Sequence, residues 1–165
     1  MMFFFTQALL AAATLAPPPS MNVPVRGEFV HAGAALDGAT WSRLQSTSVA
    51  ATGHDQQTAT YGGVRLADLL SDSGAPVGDQ VRGKAARAYL VVGAADRYTA
   101  IFSLAELDPA EVRCAPILAN SRDGLALGTD DGPLMVVAPC DRTHARWVRQ
   151  VTGLTIVVAA DGSLP

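Results

Sequence analysis

The part of the chain that decides the fold runs from residue 115 to residue 151 and reads APILANSRDGLALGTDDGPLMVVAPCDRTHARWVRQV. Two apolar runs, Ile117–Ala119 and Leu134–Val137, have the length and composition of buried strands. The polar run Asp130–Pro133 predicts the turn between them. A short helix is predicted from His144 to Val151. The stretch therefore indicates two central strands followed by a segment that carries cations.

Outward from this stretch, short strands alternate with short helices. The predicted strands are Val23–Val30, Ser48–Thr52, Thr58–Tyr61 (ended by Gly62 and Gly63), Ala88–Val92, Thr99–Phe102 and Leu154–Val158. The predicted helices are Thr40–Gln45 (capped by Asp37 or Thr40), Leu66–Leu70 (stopping at Ser73 and Gly74), and Leu104–Leu107 (capped by Ser103, with Glu106 in the capping-box position). Because there is no long β–α–β period and no internal repeat, the pattern favours an α+β domain with mixed β-sheets and short helices.

Composition limits the classes of function. A chain of 165 residues fits one domain, which we place at residues 23–158, with 159–165 as a C-terminal tail. The net charge of −3 and the absence of a basic stripe argue against nucleic-acid binding.

The first twenty residues have the pattern of a secretory signal. They contain no charged side chain, and the apolar run from Phe3 to Ala16 is shorter than the ~20 residues that a membrane span needs. Small residues and then prolines follow the apolar run, and Ala11–Ala13 offers a cleavage site. We therefore expect residues 1–20 to be removed, the protein to be exported to the periplasm or secreted, and no membrane span to remain. An uncleaved anchor or a mis-assigned start codon is the alternative.

The sequence contains two cysteines, Cys114 and Cys140, both at the ends of predicted core strands. In an exported protein they could form one disulfide, and two buried thiols are an equally good interpretation. Without a CxxC motif, and with the histidines scattered, no metal site is predicted.

Four groups able to carry positive charge fall within eight residues: Arg142, His144, Arg146 and Arg149. At the start of a helix, such groups favour a small anion such as phosphate, because free N–H groups and the helix dipole point at it. The alternative is a solvated helix face whose arginines pair with surface carboxylates.

Two further segments contain residue types found at functional sites. Asp96-Arg97-Tyr98 suits a hairpin turn. His54 and Asp55 follow a predicted strand and Gly53, a position that often carries functional groups. No nucleophile motif accompanies them, so a hydrolase triad is not favoured, and no catalytic residue is assigned.

Five motifs occur in an order that resembles a known family. They are GVRLADLL (63–70), DRY (96–98), LANSRDG (118–124), GPLMVVAP (132–139) and ARWVR (145–149). In this order they resemble the molybdopterin-binding domain of the sulfite oxidase superfamily, over nearly all of residues 23–158. The resemblance implies that family's α+β fold and molybdopterin as the cofactor.

Several residues depart from the family pattern. The family's molybdenum-binding cysteine would lie in the stretch that here reads Thr52-Gly53-His54, and no harder ligand replaces a thiolate. Met135 stands where the family has an arginine, and Asp131 stands where it has a histidine. The resemblance leaves Arg149 and the neighbouring Arg146 as phosphate contacts, with Asp96 and His54 completing the candidate cofactor-binding residues.

Two hypotheses follow. The first is a non-catalytic relative that binds a ligand, such as a small anion or a pterin phosphate, or a protein partner. The second is a small periplasmic molybdopterin-dependent oxidoreductase with atypical metal ligation. The missing cysteine favours the first.

Overall fold

A computed structural model describes residues 21–108, 110 and 113–160. The predicted signal segment and most of the predicted tail lie outside these residues, so the expectations placed on them stay predictions. Within the described part of the chain, no helix is long and apolar enough to cross a membrane.

One mixed sheet contains both ends of the described chain. In spatial order its strands are β2 (Ala35–Asp37), β1 (Asn22–Gly27), β10 (Val151–Val158), β5 (Ala88–Ala94) and β6 (Thr99–Ser103). Strands β1 and β10 run parallel, with Val25 opposite Leu154, and the other pairs are antiparallel. The predicted hairpin of β5 and β6 is confirmed.

The second sheet is antiparallel. Its strands are β3 (Ser46–Thr52), β4 (Thr58–Arg65), β7 (Ile117–Arg122) and β8 (Leu125–Ala126), and β9 (Met135–Val137) also pairs with β7. The two central strands predicted from the opening stretch are therefore antiparallel neighbours, with Leu118 opposite Val136.

In the described part of the chain, two short α-helices and four 3-10 turns connect the strands. Helix α1 is Gly38–Arg43 and helix α2 is Leu66–Asp72; the 3-10 turns are Gly78–Gln80, Gly83–Arg87, Ala105–Leu107 and His144–Arg146. Asp37 caps α1 by accepting from the Thr40 N–H at 2.8 Å, and this bond lowers the pKa of the Asp37 carboxyl. Ser103 and Glu106 form the predicted capping box.

Side chains from both sheets and both helices form one core that is mainly aliphatic. Leu90 and Leu154 contribute from the first sheet, Leu118 and Val136 from the second, and all four are fully buried. One mixed sheet, one antiparallel sheet and a few short helices confirm the predicted α+β class.

Two predicted strand ends are wrong. Strand β1 ends at Gly27 rather than Val30, because Gly27 turns the backbone at a φ of 104°. Gly62 and Gly63 do not end a strand; they lie inside β4, at a bulge opposite β7.

The predicted helix His144–Val151 is limited to the 3-10 turn His144–Arg146. Beyond it the backbone pairs with another strand, since the Val136 N–H donates to the Val148 carbonyl at 2.8 Å and the Val151 N–H donates to the Leu134 carbonyl at 3.0 Å. Both Trp147 and Val148 are buried. Pairing with β9 satisfies the backbone groups that a helix would have satisfied internally.

Candidate functional site

A two-lobed cleft lies where three segments meet: the turn after β3, the hairpin between β5 and β6, and residues 144–149. The first lobe has a volume of about 210 Å³ and is lined by His54, Ala94, Asp96, Tyr98, His144, Trp147 and Arg149. The second lobe, of about 280 Å³, is lined by His54, Asp55, Tyr61, Arg122, Asp130, Asp131, Met135, Trp147 and Arg149. His54, Trp147 and Arg149 border both lobes.

Trp147 forms the floor of the cleft. Its indole is 5% exposed and donates its Nε1–H to the Ala138 carbonyl at 2.9 Å. The rings of Tyr61 and His144 meet it edge to face, with centroids 5.4 Å and 4.6 Å away. Such contacts fix ring orientation as well as burying area, so the floor is rigid and aromatic.

Two histidines form the wall beside this floor. The rings of His54 and His144 are 4.2 Å apart between centroids. His144 Nε2 lies 2.8 Å from the Thr52 carbonyl, which can only accept, so Nε2 carries the proton. Partial burial, together with the nearby His144 and Arg149, lowers the pKa of His54.

The hairpin between β5 and β6 forms the opposite wall. Arg97 turns the chain at a φ of 73°, and Asp96 Oδ1 accepts from the Tyr98 N–H at 2.9 Å. The Tyr98 hydroxyl donates to the Ala145 carbonyl at 2.6 Å. The Ala95 N–H donates to the Gln150 carbonyl at 3.0 Å. These bonds hold the hairpin against the segment that carries Trp147 and Arg149.

Arg149 is the cation shared by the two lobes. Its side chain is 53% exposed, and its nearest carboxylate is Asp131, at 3.8 Å. At that distance and exposure the pair contributes little, so the guanidinium keeps most of its donors for another partner.

In the second lobe the charges are largely paired internally. Arg122 binds Asp55 at 2.7 Å and lies over the Tyr61 ring, 5.7 Å from its centroid. The Gln57 N–H and Arg122 both lower the pKa of Asp55, and burial raises the pKa of Tyr61. Because Asp130 and Asp131 also face this lobe, it carries more negative than positive charge.

Among the four candidate cofactor-binding residues, His54, Asp96 and Arg149 line the same lobe, and Arg146 does not. Arg146 binds Asp141 through two nitrogens, at 2.6 and 2.8 Å, and Glu106 at 2.7 Å. It also lies over Phe102, 4.8 Å from the ring centroid. The bonds to Asp141 and then to Glu106 raise the pKa of Arg146. Only the 3-10 turn His144–Arg146 follows Thr143, so the long helix whose N-terminus was predicted to bind an anion is absent here. Cofactor binding by the four residues stays a prediction.

We expect Arg146→Met to lower the free energy of unfolding by about 1–2 kcal/mol, because it leaves two carboxylates beside each other without their cation. The Arg146 and Asp141 side chains are 35% and 20% exposed, so water screens part of the loss. Urea denaturation measures it. Arg149→Met is the matched control, with an expected loss below about 0.5 kcal/mol; equal losses for both variants would contradict the prediction.

The residues at the cleft offer no thiolate to the molybdenum of a molybdenum–pterin group. Cys114 and Cys140 form a disulfide with their Cα atoms 5.7 Å apart, and no free cysteine remains. Gly53 lies in the stretch that resembles the family's ligand segment, and a Cβ there would be 2.7 Å from the Tyr61 hydroxyl. Within the described residues no group of three or more histidine, cysteine or acidic side chains could hold a metal. We therefore derive no chemistry through this group.

Tyr98, His144 and Trp147 also line the first lobe and are not among the four residues that the sequence predicts for cofactor binding. Tyr98 and His144 stood in the DRY motif and the cation cluster, but nothing in either pattern placed them in one cleft. Trp147 gives no signal of its own, because an aromatic residue beside a valine is typical of a core position.

The chain resembles a known protein in structure and none in sequence. No protein-family model matches the chain, and no curated protein matches it. The chain is similar to the crystal structure of the sulfane dehydrogenase SoxCD from Paracoccus pantotrophus, with a TM-score of 0.63 and 19% sequence identity. The match covers 86% of this chain and 40% of that chain. At this identity the likeness shows the fold alone: this chain has the α+β fold of part of that protein.

Proposed function

We propose that this protein is an exported, non-catalytic relative of the sulfite oxidase fold that binds a small ligand in its two-lobed cleft. The observation that carries the proposal is the turn at Gly53. There the chain offers no thiol, and a Cβ at this position would lie 2.7 Å from the Tyr61 hydroxyl oxygen, which would have to shift.

Ligand binding is supported by how the cleft is built. Its aromatic floor is rigid, its walls come from separate segments that hydrogen bonds hold together, and Arg149 faces both lobes with one weak partner. An arginine of this kind binds a carboxylate or another planar anionic group through paired N–H donors.

Export is supported by two features. One is the short apolar run before residue 17, and the other is the disulfide, which is typical of proteins that fold in an oxidising compartment.

The proposal is tested on protein purified from the periplasm of its own host. We expect a molybdenum content far below one atom per chain and no sulfite-dependent reduction of an acceptor dye. Stoichiometric molybdenum together with that activity would overturn the proposal in favour of an oxidoreductase with atypical ligation.

The ligand-binding half is tested by titrating acetate while following the Trp147 indole N–H by NMR. We expect saturable shifts, with the dissociation constant raised roughly tenfold in Arg149→Gln, because a charge-assisted bond is lost. Arg82→Gln is the control, because Arg82 is exposed and lies before the start of β5, whereas the cleft is at the other end of that strand. The seven residues of β5 span about 20 Å. An unchanged constant in Arg149→Gln would contradict the role of Arg149.

A further inference from the structure

The first lobe contains two opposite charges that do not neutralise each other. Asp96 lies in the turn of the β5–β6 hairpin and Arg149 lies just before β10, and both line the lobe. No ion pair within 4 Å joins them in the described chain, where the nearest carboxylate to Arg149 is Asp131 at 3.8 Å. Asp96 uses Oδ1 to accept from the Tyr98 N–H, which leaves Oδ2 for another donor.

The charges around this lobe also disfavour a simple anion. Asp55 is compensated by Arg122, but Asp96, Asp130 and Asp131 together oppose the single charge of Arg149. The lowered pKa of His54 disfavours a positive charge on its imidazole. The surrounding carboxylates weaken the binding of a simple anion at Arg149 relative to that of a molecule that also carries a cation.

We infer that the first lobe binds a small zwitterion of the α-amino-acid class, with its carboxylate on Arg149 and its ammonium on Asp96. This rests on the proposed function, whose ligand it specifies. Each end of such a molecule meets the opposite charge, and the complex adds no net charge to a cleft that is already acidic.

The size and floor of the lobe fit the same class. Its volume of about 210 Å³ is below the roughly 300–1,000 Å³ typical of pockets for larger ligands, so a compact molecule is favoured. The carbon atoms of a small side chain would lie on the Trp147 indole, and the ammonium would also gain from the nearby aromatic faces.

Three compounds separate the contributions of the two charges. Alanine carries both groups, propionate lacks the ammonium, and ethylamine lacks the carboxylate. Titrated into the wild-type protein at pH 7 and followed at the Trp147 indole N–H, alanine should bind at least roughly tenfold more tightly than either of the others.

Two variants assign the ends of the ligand. Asp96→Asn keeps an acceptor for the Tyr98 N–H, so the hairpin turn is retained. It should raise the dissociation constant of alanine roughly tenfold and leave that of propionate unchanged or lower. Arg149→Gln should raise the dissociation constants of alanine and propionate and leave that of ethylamine unchanged. Arg82→Gln should change none of the three dissociation constants.

The outcomes distinguish this inference from the proposed function. If propionate binds as tightly as alanine and Asp96→Asn has no effect, the zwitterion inference is overturned and an anion-binding cleft at Arg149 stands. If neither alanine nor propionate shifts the Trp147 signal, both are overturned. A preference for alanine that disappears in Asp96→Asn supports both.

Discussion

Replacing Cys114 and Cys140 together by serine should lower the free energy of unfolding by about 3–4 kcal/mol. The disulfide joins residues 26 apart in sequence, and a closed loop of that length removes about this much conformational free energy from the unfolded chain. The loop contains β7, β8 and β9, so the crosslink restrains three strands of the second sheet. Urea denaturation of the oxidised wild type and the double variant measures the difference.

The reduced wild type is the matched control, because it loses the crosslink and keeps both cysteines. Its free energy of unfolding should equal that of the double-serine variant to within about 0.5 kcal/mol. A variant as stable as the oxidised protein would contradict the prediction, because the crosslink would then remove no net conformational freedom from the unfolded chain.

Local sequence signals predicted much of the fold. Helix α2 and the β5–β6 hairpin follow from patterns that a few neighbouring residues decide. The helix predicted from His144 fails for the opposite reason. Its residues past Arg146 bond to Leu134 and Val136 in a different part of the chain, and no local pattern contains that partner.

Three of the four candidate cofactor-binding residues lie together and one does not, for a physical reason, although their binding role stays a prediction. His54, Asp96 and Arg149 face one lobe, because each follows the end of a strand or precedes one. Arg146 and Arg149 are three residues apart in the same segment of the sequence. The Arg146 guanidinium nevertheless donates to the Glu106 carboxylate, which is forty residues away in sequence. Which of two neighbouring arginines stays available is therefore decided by tertiary contacts that composition and spacing do not contain.

Gly63→Ala should lower the free energy of unfolding by about 3 kcal/mol or prevent folding. Gly63 lies within β4, opposite Ala119 on β7, where the two backbones come close together at a bulge. A methyl group there would be 2.7 Å from the Ala119 Cα and 2.8 Å from the Leu118 carbonyl carbon. Backbone in the centre of a sheet cannot move aside without breaking ladder bonds, and overpacking of this kind costs about 1–3 kcal/mol or more.

Gly62→Ala is the matched control, because the substitution and the strand are the same and only the obstacle differs. The nearest atom to a methyl group at Gly62 is the Ser121 hydroxyl oxygen, at 2.6 Å. That oxygen can move by rotation of one side-chain torsion, at the cost of its bond to the Gly62 carbonyl, so the expected loss is about 1 kcal/mol. Urea denaturation of both variants gives the comparison. If Gly63→Ala is no less stable than Gly62→Ala, the two backbones do not approach as closely at the bulge as described. Gly63 would then tolerate a side chain, as a glycine at the end of a strand would.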